Sequence, residues 1–133
     1  MSLRRTKLLD IQSVTGIATV GIFTVGTTQT AGGVGIASTT YLRSVIMHNT
    51  GLGTCTSSLY IYPSGVAATG VGRTNYRIAK VDLASNETFF FETNYPLVLT
   101  SQDKIVVSVD RPESGGTGIS STVNYQILGD TDI

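Results

Sequence analysis

The feature that most constrains this chain is an alternation of apolar and polar residues with a period of two. Near the C-terminus Val123, Tyr125 and Ile127 alternate with Thr122, Asn124 and Gln126. Ile105, Val107 and Val109 alternate with Lys104, Val106 and Ser108, and Leu59 and Ile61 alternate with Tyr60 and Tyr62. Successive side chains of an extended segment leave on opposite sides, so each of these stretches reads as a strand with one buried face. No long segment carries apolar residues at helical spacing, and the many β-branched residues oppose one.

Three segments depart from simple alternation. Tyr41 to His48 is apolar on both faces, with Leu42 and Ile46 set against Val45 and Met47. It reads as a central strand covered on two sides, or covered by a partner. Asn75 to Leu83 changes phase partway, which predicts a bulge near Ala79–Lys80. Phe89, Phe90 and Phe91 are consecutive, so at least one ring must cross to the opposite face. Leu8 to Val14 and Ile17 to Val25 read as two further strands around Gly16.

Turn signals separate these segments every dozen or so residues: Asn49-Thr50-Gly51, Pro63-Ser64-Gly65, Gly70 to Gly72, Asn94 to Pro96, and Pro112 to Gly118. Roughly eight short strands so spaced predict an all-β fold: a single antiparallel β-sandwich, jelly-roll-like or immunoglobulin-like. One domain is expected, with residues 1–40 as an N-terminal arm or hairpin open to subunit contacts and residues 41–133 as the sandwich core.

Composition narrows the function. The 133 residues carry 9 basic and 9 acidic side chains, so no basic surplus is available to neutralise phosphates and no nucleic-acid partner is expected. Charged residues are 14% of the chain, against roughly 25% in ordinary soluble domains. Ser and Thr supply about a quarter of the chain, and Ile11 to Leu42 holds no charge at all. A hydroxyl costs less to desolvate than an ion, so such a surface suits packing against neighbours. Gly, Thr, Ser and Gln interrupt the charge-free run, so no membrane span is expected. The basic start is followed by Asp10 and Gln12, so no signal peptide is expected either.

The residues that catalysis needs are sparse. His48 is the only histidine and Cys55 the only cysteine, so neither a zinc set nor an intramolecular disulfide can form from them. A Cys55–His48 dyad lacks a third group to orient the base. The carboxylates are scattered beside turns, and Asp130-Thr131-Asp132 lacks the remaining ligands of a calcium loop. Gly32-Gly33-Val34-Gly35 and Gly70-Val71-Gly72 lack the rest of any phosphate-binding fingerprint. The expectation is a protein that is not an enzyme, with no catalytic residues, no metal and no cofactor. Tyr60, Tyr62 and Tyr76 are the candidate ligand-facing aromatics, able to stack on sugar rings if exposed together.

The strand sequences carry a resemblance. Tyr41-Leu42-Arg43-Ser44-Val45-Ile46-Met47-His48-Asn49-Thr50-Gly51 is followed by Leu59-Tyr60-Ile61-Tyr62-Pro63, Asn75-Tyr76-Arg77-Ile78-Ala79 and Glu87-Thr88-Phe89-Phe90-Phe91. Tyr95-Pro96-Leu97-Val98-Leu99-Thr100, Asp103-Lys104-Ile105-Val106-Val107 and Val123-Asn124-Tyr125-Gln126-Ile127 complete the pattern. From Tyr41 to Leu128 the chain resembles small β-sandwich proteins of tailed-bacteriophage virions, especially those of cyanobacterial phages. Gly21-Ile22-Phe23-Thr24-Val25 is similar to a segment of such proteins as well.

The resemblance implies a structural component of the virion: a capsid decoration or cement protein, or part of the tail, neck or fibre. It implies self-association as a homo-oligomer, with a trimer as the expected state, and attachment to capsid or tail subunits. The location implied is the virion, after synthesis in the host cytoplasm. It brings no catalytic residues. The candidate subunit interface comprises Ile17, Val20, Ile22, Phe23, Val25 and Phe90. The alternative is a carbohydrate-binding or adhesin-like module, with a glycan as partner.

Overall fold

The computed structural model describes residues 3–25, 29–31, 34–36, 39–67, 73–111 and 122–132. Among them are ten strands: β1 (Leu3–Thr15), β2 (Ala18–Thr24), β3 (Gln29–Ala31), β4 (Val34–Ile36), β5 (Thr39–Asn49), β6 (Cys55–Tyr62), β7 (Arg77–Leu83), β8 (Thr88–Thr100), β9 (Lys104–Asp110) and β10 (Thr122–Asp132). A single 3₁₀ turn, Thr74–Tyr76, precedes β7. The glycine clusters Gly32-Gly33 and Gly70 to Gly72, and the loop Pro112 to Gly118, lie outside the described residues.

Eight strands form two four-stranded antiparallel sheets, in the orders β1-β10-β5-β8 and β2-β9-β6-β7, and β3 and β4 pair as a separate hairpin. The pairings nest. β6 pairs β7, β5 pairs β8, β2 pairs β9 and β1 pairs β10. The eight strands therefore behave as one long hairpin rolled up, closed by the additional pairs β10–β5 and β9–β6. This is a jelly roll, and it selects between the two sandwich types expected from the sequence. A constant-type immunoglobulin sandwich instead holds its first and last strands in different sheets.

Within the arm or hairpin segment expected over residues 1–40, β1 and β2 belong to the sandwich, whereas β3 and β4 form the separate hairpin. β1 pairs with β10 from Leu3↔Asp132 to Thr15↔Thr122, and β2 pairs with β9 from Ala18↔Val109 to Thr24↔Lys104. Each forms an edge of one sheet. The reason is burial: Val14 and Ile22 enter the same core as Val109, Val123 and Ile127, and removing such side chains from water stabilises by ~1.5–3 kcal/mol each.

The core lies between the sheets, where the inward residues alternate as expected. Val123, Tyr125 and Ile127 of β10 face Leu59 of β6 and Ile105, Val107 and Val109 of β9, all fully buried. Bulges adjust the phase. β5 is the expected central strand, but a register shift between Leu42 and Ser44 places Leu42 inward with Val45 and Met47. Leu42 and Ile46 therefore face opposite ways, contrary to their even spacing. The shift in β7 falls at Ile78, between the pairs Leu59↔Ala79 and Tyr60↔Arg77, rather than at Ala79–Lys80. Asn94 to Pro96 is not a turn but an irregular stretch within β8, whose edge position tolerates the missing N–H of Pro96.

Two polar side chains organise the ends of the roll. Asn49 is fully buried; its amide donates to the carbonyls of Gly53 (2.9 Å) and Leu83 (3.0 Å) and accepts from the Gly51 N–H (2.9 Å). At the other end the Asp103 carboxylate accepts from the Thr100 N–H, the Thr100 hydroxyl and the Ser64 N–H. The Val25 N–H donates to the Asp103 carbonyl, tying the end of β2 to the same turn.

Candidate functional site

The two outer faces of the sandwich are finished differently. The outer face of the β2-β9-β6-β7 sheet is covered by the chain's own residues. Tyr60, Tyr62 and Val106 are buried there, with Val66 and Tyr76 packed on them. The Tyr60 and Tyr62 rings meet edge to face at 5.9 Å, and Tyr62 and Tyr76 lie 5.4 Å apart. The phenol of Tyr60 shares a hydrogen bond with Ser108 (3.1 Å), and that of Tyr62 accepts from the Arg73 N–H (2.8 Å). The Lys104 ammonium donates to the Val66 carbonyl (2.7 Å) and holds the cover down.

This arrangement corrects the ligand-facing assignment of the tyrosines. Tyr60 and Tyr62 present no ring face to solvent, and Tyr76 is half-buried against Tyr62. Alternation placed the first two on one face correctly. It carried no information on what the segment after Pro63 covers.

The outer face of the β1-β10-β5-β8 sheet is open, and its side chains fall into rows set by strand register. The central row runs Ile11, Gln126, Ile46, Phe90: Gln126 pairs with Ile46, Ile46 pairs with Phe90, and Ile11 adjoins Gln126 across a β1 bulge. Ile11 is 66% exposed and Phe90 57%. A hollow of about 210 Å³ lies between Ile11 and Ile46, lined also by His48, Asn124, Tyr125 and Gln126.

On one side of this row lies a polar ladder: Ser13, Asn124, His48 and Thr88. Ser13 donates to the Asn124 side-chain oxygen (2.5 Å), and His48 Nδ1 lies 2.7 Å from the Thr88 hydroxyl. On the other side run Lys7, Leu128, Ser44 and Glu92. The face thus carries Lys7 beside Asp10 at its β1 edge, Glu92 at its β8 edge, the Arg43–Asp130 ion pair one row beyond, and an apolar band across the middle.

The structure separates the six candidate interface residues. Ile22 (7% exposed) and Val25 (fully buried) belong to the core, and Val20 and Phe23 are half-buried against it. They are corrected as interface residues by that packing: β2 needs its apolar side chains for its own sandwich. Ile17, in the β1–β2 turn, and Phe90, on β8, project outward. These two sit at opposite edges and form no common patch. Of the three phenylalanines, Phe89 and Phe91 turn inward and only Phe90 crosses, as their succession requires. Ile11 and Ile46 complete the open face. The two-sided apolarity of Tyr41 to His48 was the signal for Ile46, whereas the β1 bulge concealed Ile11.

Cys55 is buried between the sheets and His48 stands on the outer face, so the dyad is not assembled. Among the described residues no three His, Cys, Asp or Glu side chains gather where they could hold a metal ion. The chemistry this surface offers is apolar contact, hydroxyl and amide hydrogen bonding, and a few charges: Lys7 beside Asp10, the Arg43–Asp130 ion pair, and Glu92. No family model matches the chain, and no curated protein or solved structure matches it either.

Proposed function

We propose that this protein is a non-enzymatic structural component of a phage virion, a capsid decoration or cement protein or a part of the tail, neck or fibre. It acts by associating with copies of itself and by attaching to capsid or tail subunits. It resides in the virion after synthesis in the host cytoplasm and uses no cofactor, nucleic acid or membrane.

The observation that carries this reading is the open apolar band of Ile11, Ile46 and Phe90 on one outer face, while the tyrosines of the other outer face are covered by the chain itself. Exposed apolar surface flanked by polar residues is the signature of a contact surface rather than of a reaction centre. The resemblance of residues 41–128 to virion sandwich proteins supports the particle as the place of contact. The jelly roll is a fold used for viral capsid domains, and this support is by analogy of fold alone.

Mass spectrometry of gradient-purified particles from the source tests the proposal. The protein is expected at a fixed stoichiometry to the capsid or tail subunits. Its absence from purified particles overturns the reading. A glycan-dependent rise in melting temperature would favour the carbohydrate-binding alternative, since a ligand that binds only the folded state raises its stability.

A further inference from the structure

We infer that the open face of the β1-β10-β5-β8 sheet docks on the same face of a second copy, through a two-fold axis parallel to the strands. This rests on the self-association part of the proposed function and names its surface and symmetry.

The argument is one of register and charge. A two-fold axis along the strand direction, midway between two facing sheets, reverses the strand order and keeps each row at its own height. β1 of one copy then lies over β8 of the other, and β10 over β5. Lys7 meets the partner's Glu92, and Glu92 meets the partner's Lys7, because both residues belong to one row and stand at its two ends. In the central row Ile11 meets the partner's Phe90, and Ile46 meets the partner's Gln126. The hollow beside Ile11 and Ile46 receives the partner's Phe90 ring. In the polar row Asn124 meets the partner's His48, and Ser13 meets the partner's Thr88.

Every contact forms twice, as an isologous interface requires. Lys7 and Glu92 sit at opposite ends of one row, and this rotation brings each onto the other. A rotation about an axis normal to the strands and parallel to the sheet would invert the rows. It would bring the charged row towards the polar ladder and lose the Lys7–Glu92 pairing. Lys7 also lies 3.7 Å from its own Asp10, an exposed contact that an incoming Glu92 joins rather than displaces.

The area suits a specific but reversible pair. Four strands about 4.8 Å apart and rows about 3.3 Å per residue present on the order of 500–600 Å² a side, near the lower end of specific interfaces. Sheets facing each other in this way pack with strands nearly aligned, as within a sandwich.

Charge reversal tests it in the full chain. Sedimentation velocity at increasing concentration is expected to show a dimer for the native protein. Phe90→Arg is expected to weaken it by about 100-fold, since each copy places a charge against the partner's Ile11. Lys7→Glu and Glu92→Lys, each alone, are expected to weaken it by about tenfold, and Lys7→Glu/Glu92→Lys together to restore it to within about threefold. Within one chain these two residues are about 14 Å apart, three strand spacings, so the rescue reports pairing between copies.

Melting curves check that each variant is folded. A native protein monomeric at about 0.1 mM, a trimer, or a dimer indifferent to Phe90→Arg overturns the inference. A double variant no tighter than the single ones overturns the stated symmetry. A dimer that behaves as predicted, in a protein absent from particles, overturns the virion reading and leaves this inference standing.

Discussion

Ser57 of β6 and Tyr125 of β10 join their hydroxyls at 2.6 Å across the middle of the sandwich, one from each sheet. Both side chains are fully buried, and the Ser57 hydroxyl also reaches Met47 Sδ at 3.4 Å. With the phenol donating to Ser57, the serine proton is left for the sulfur. The pair satisfies two polar groups in an otherwise apolar layer, and it fixes which part of one sheet lies over which part of the other.

Removing either partner has unequal consequences. Ser57→Ala leaves a buried phenol without a partner and is expected to destabilise by ~1–3 kcal/mol. Tyr125→Phe leaves Ser57 with the Met47 sulfur and is expected to cost ~0.5–1.5 kcal/mol. Urea unfolding of the two variants checks the order; a Tyr125→Phe loss exceeding that of Ser57→Ala contradicts it.

The same burial makes stability depend on alkaline pH. Burial pushes the ionisation of the Tyr125 phenol well above its ordinary range, with a smaller opposing effect from the Ser57 hydrogen bond. A raised folded value means the native state holds the proton more tightly than the unfolded chain does. The contribution is complete below about pH 10, the unfolded value, and is lost as pH rises towards the folded one. Above about pH 10 the native protein should lose up to ~1.4 kcal/mol per pH unit more than Tyr125→Phe. Parallel urea curves at pH values on both sides of 10 measure the difference, and identical slopes would remove this residue from the account.

Asn49 is matched to its site through both ends of its amide. Its nitrogen serves two carbonyls and its oxygen serves one N–H. Asn49→Asp keeps the shape but turns an acceptor towards the carbonyls of Gly53 and Leu83. It is expected to destabilise by ~3 kcal/mol or more at neutral pH. The introduced carboxyl is favoured in its neutral form by that burial, so its folded value is raised and the variant regains stability as pH falls towards about 4. Thermal melts at pH 7 and pH 4.5, read against the native protein, test the sign.

Gly129 and Gly53 form an internal control. A Cβ on Gly129 would overlap the Tyr41 carbonyl oxygen and stand 2.9 Å from Leu8 Cδ1, whereas one on Gly53 meets nothing within 4 Å. Gly129→Ala should therefore cost ~3 kcal/mol or more, by forcing β10 away from β5 at their bulge. Gly53→Ala should be neutral or raise stability by ~0.4–1 kcal/mol, through the less flexible unfolded chain. Differential scanning calorimetry separates these outcomes.

Much of this architecture was legible in the residues. The strands at Leu59–Tyr62, Lys104–Val109 and Thr122–Ile127 follow from alternation, which is a local property. The crossing of one phenylalanine follows from three in succession, and the outward Ile46 from a strand apolar on both faces. The bulges were less legible. The shift at Leu42/Ser44 sends Leu42 inward against its spacing, and β5 makes it against both β10 and β8, a relation among three strands that its own residues do not encode. Likewise the fate of the tyrosines depended on a cover formed by Val66 and Arg73 to Tyr76, which alternation within β6 does not encode.

By itself the sequence determined an all-β chain with one core and few charges, since strand periodicity and desolvation cost are written in neighbouring residues. The tertiary structure decided that β1 lies against β10, joining residues as far apart as Ser13 and Asn124, and so made a jelly roll. It also decided which outer face is closed and which is open. Pairings across more than a hundred residues depend on the total burial of the finished fold, and no local pattern specifies them.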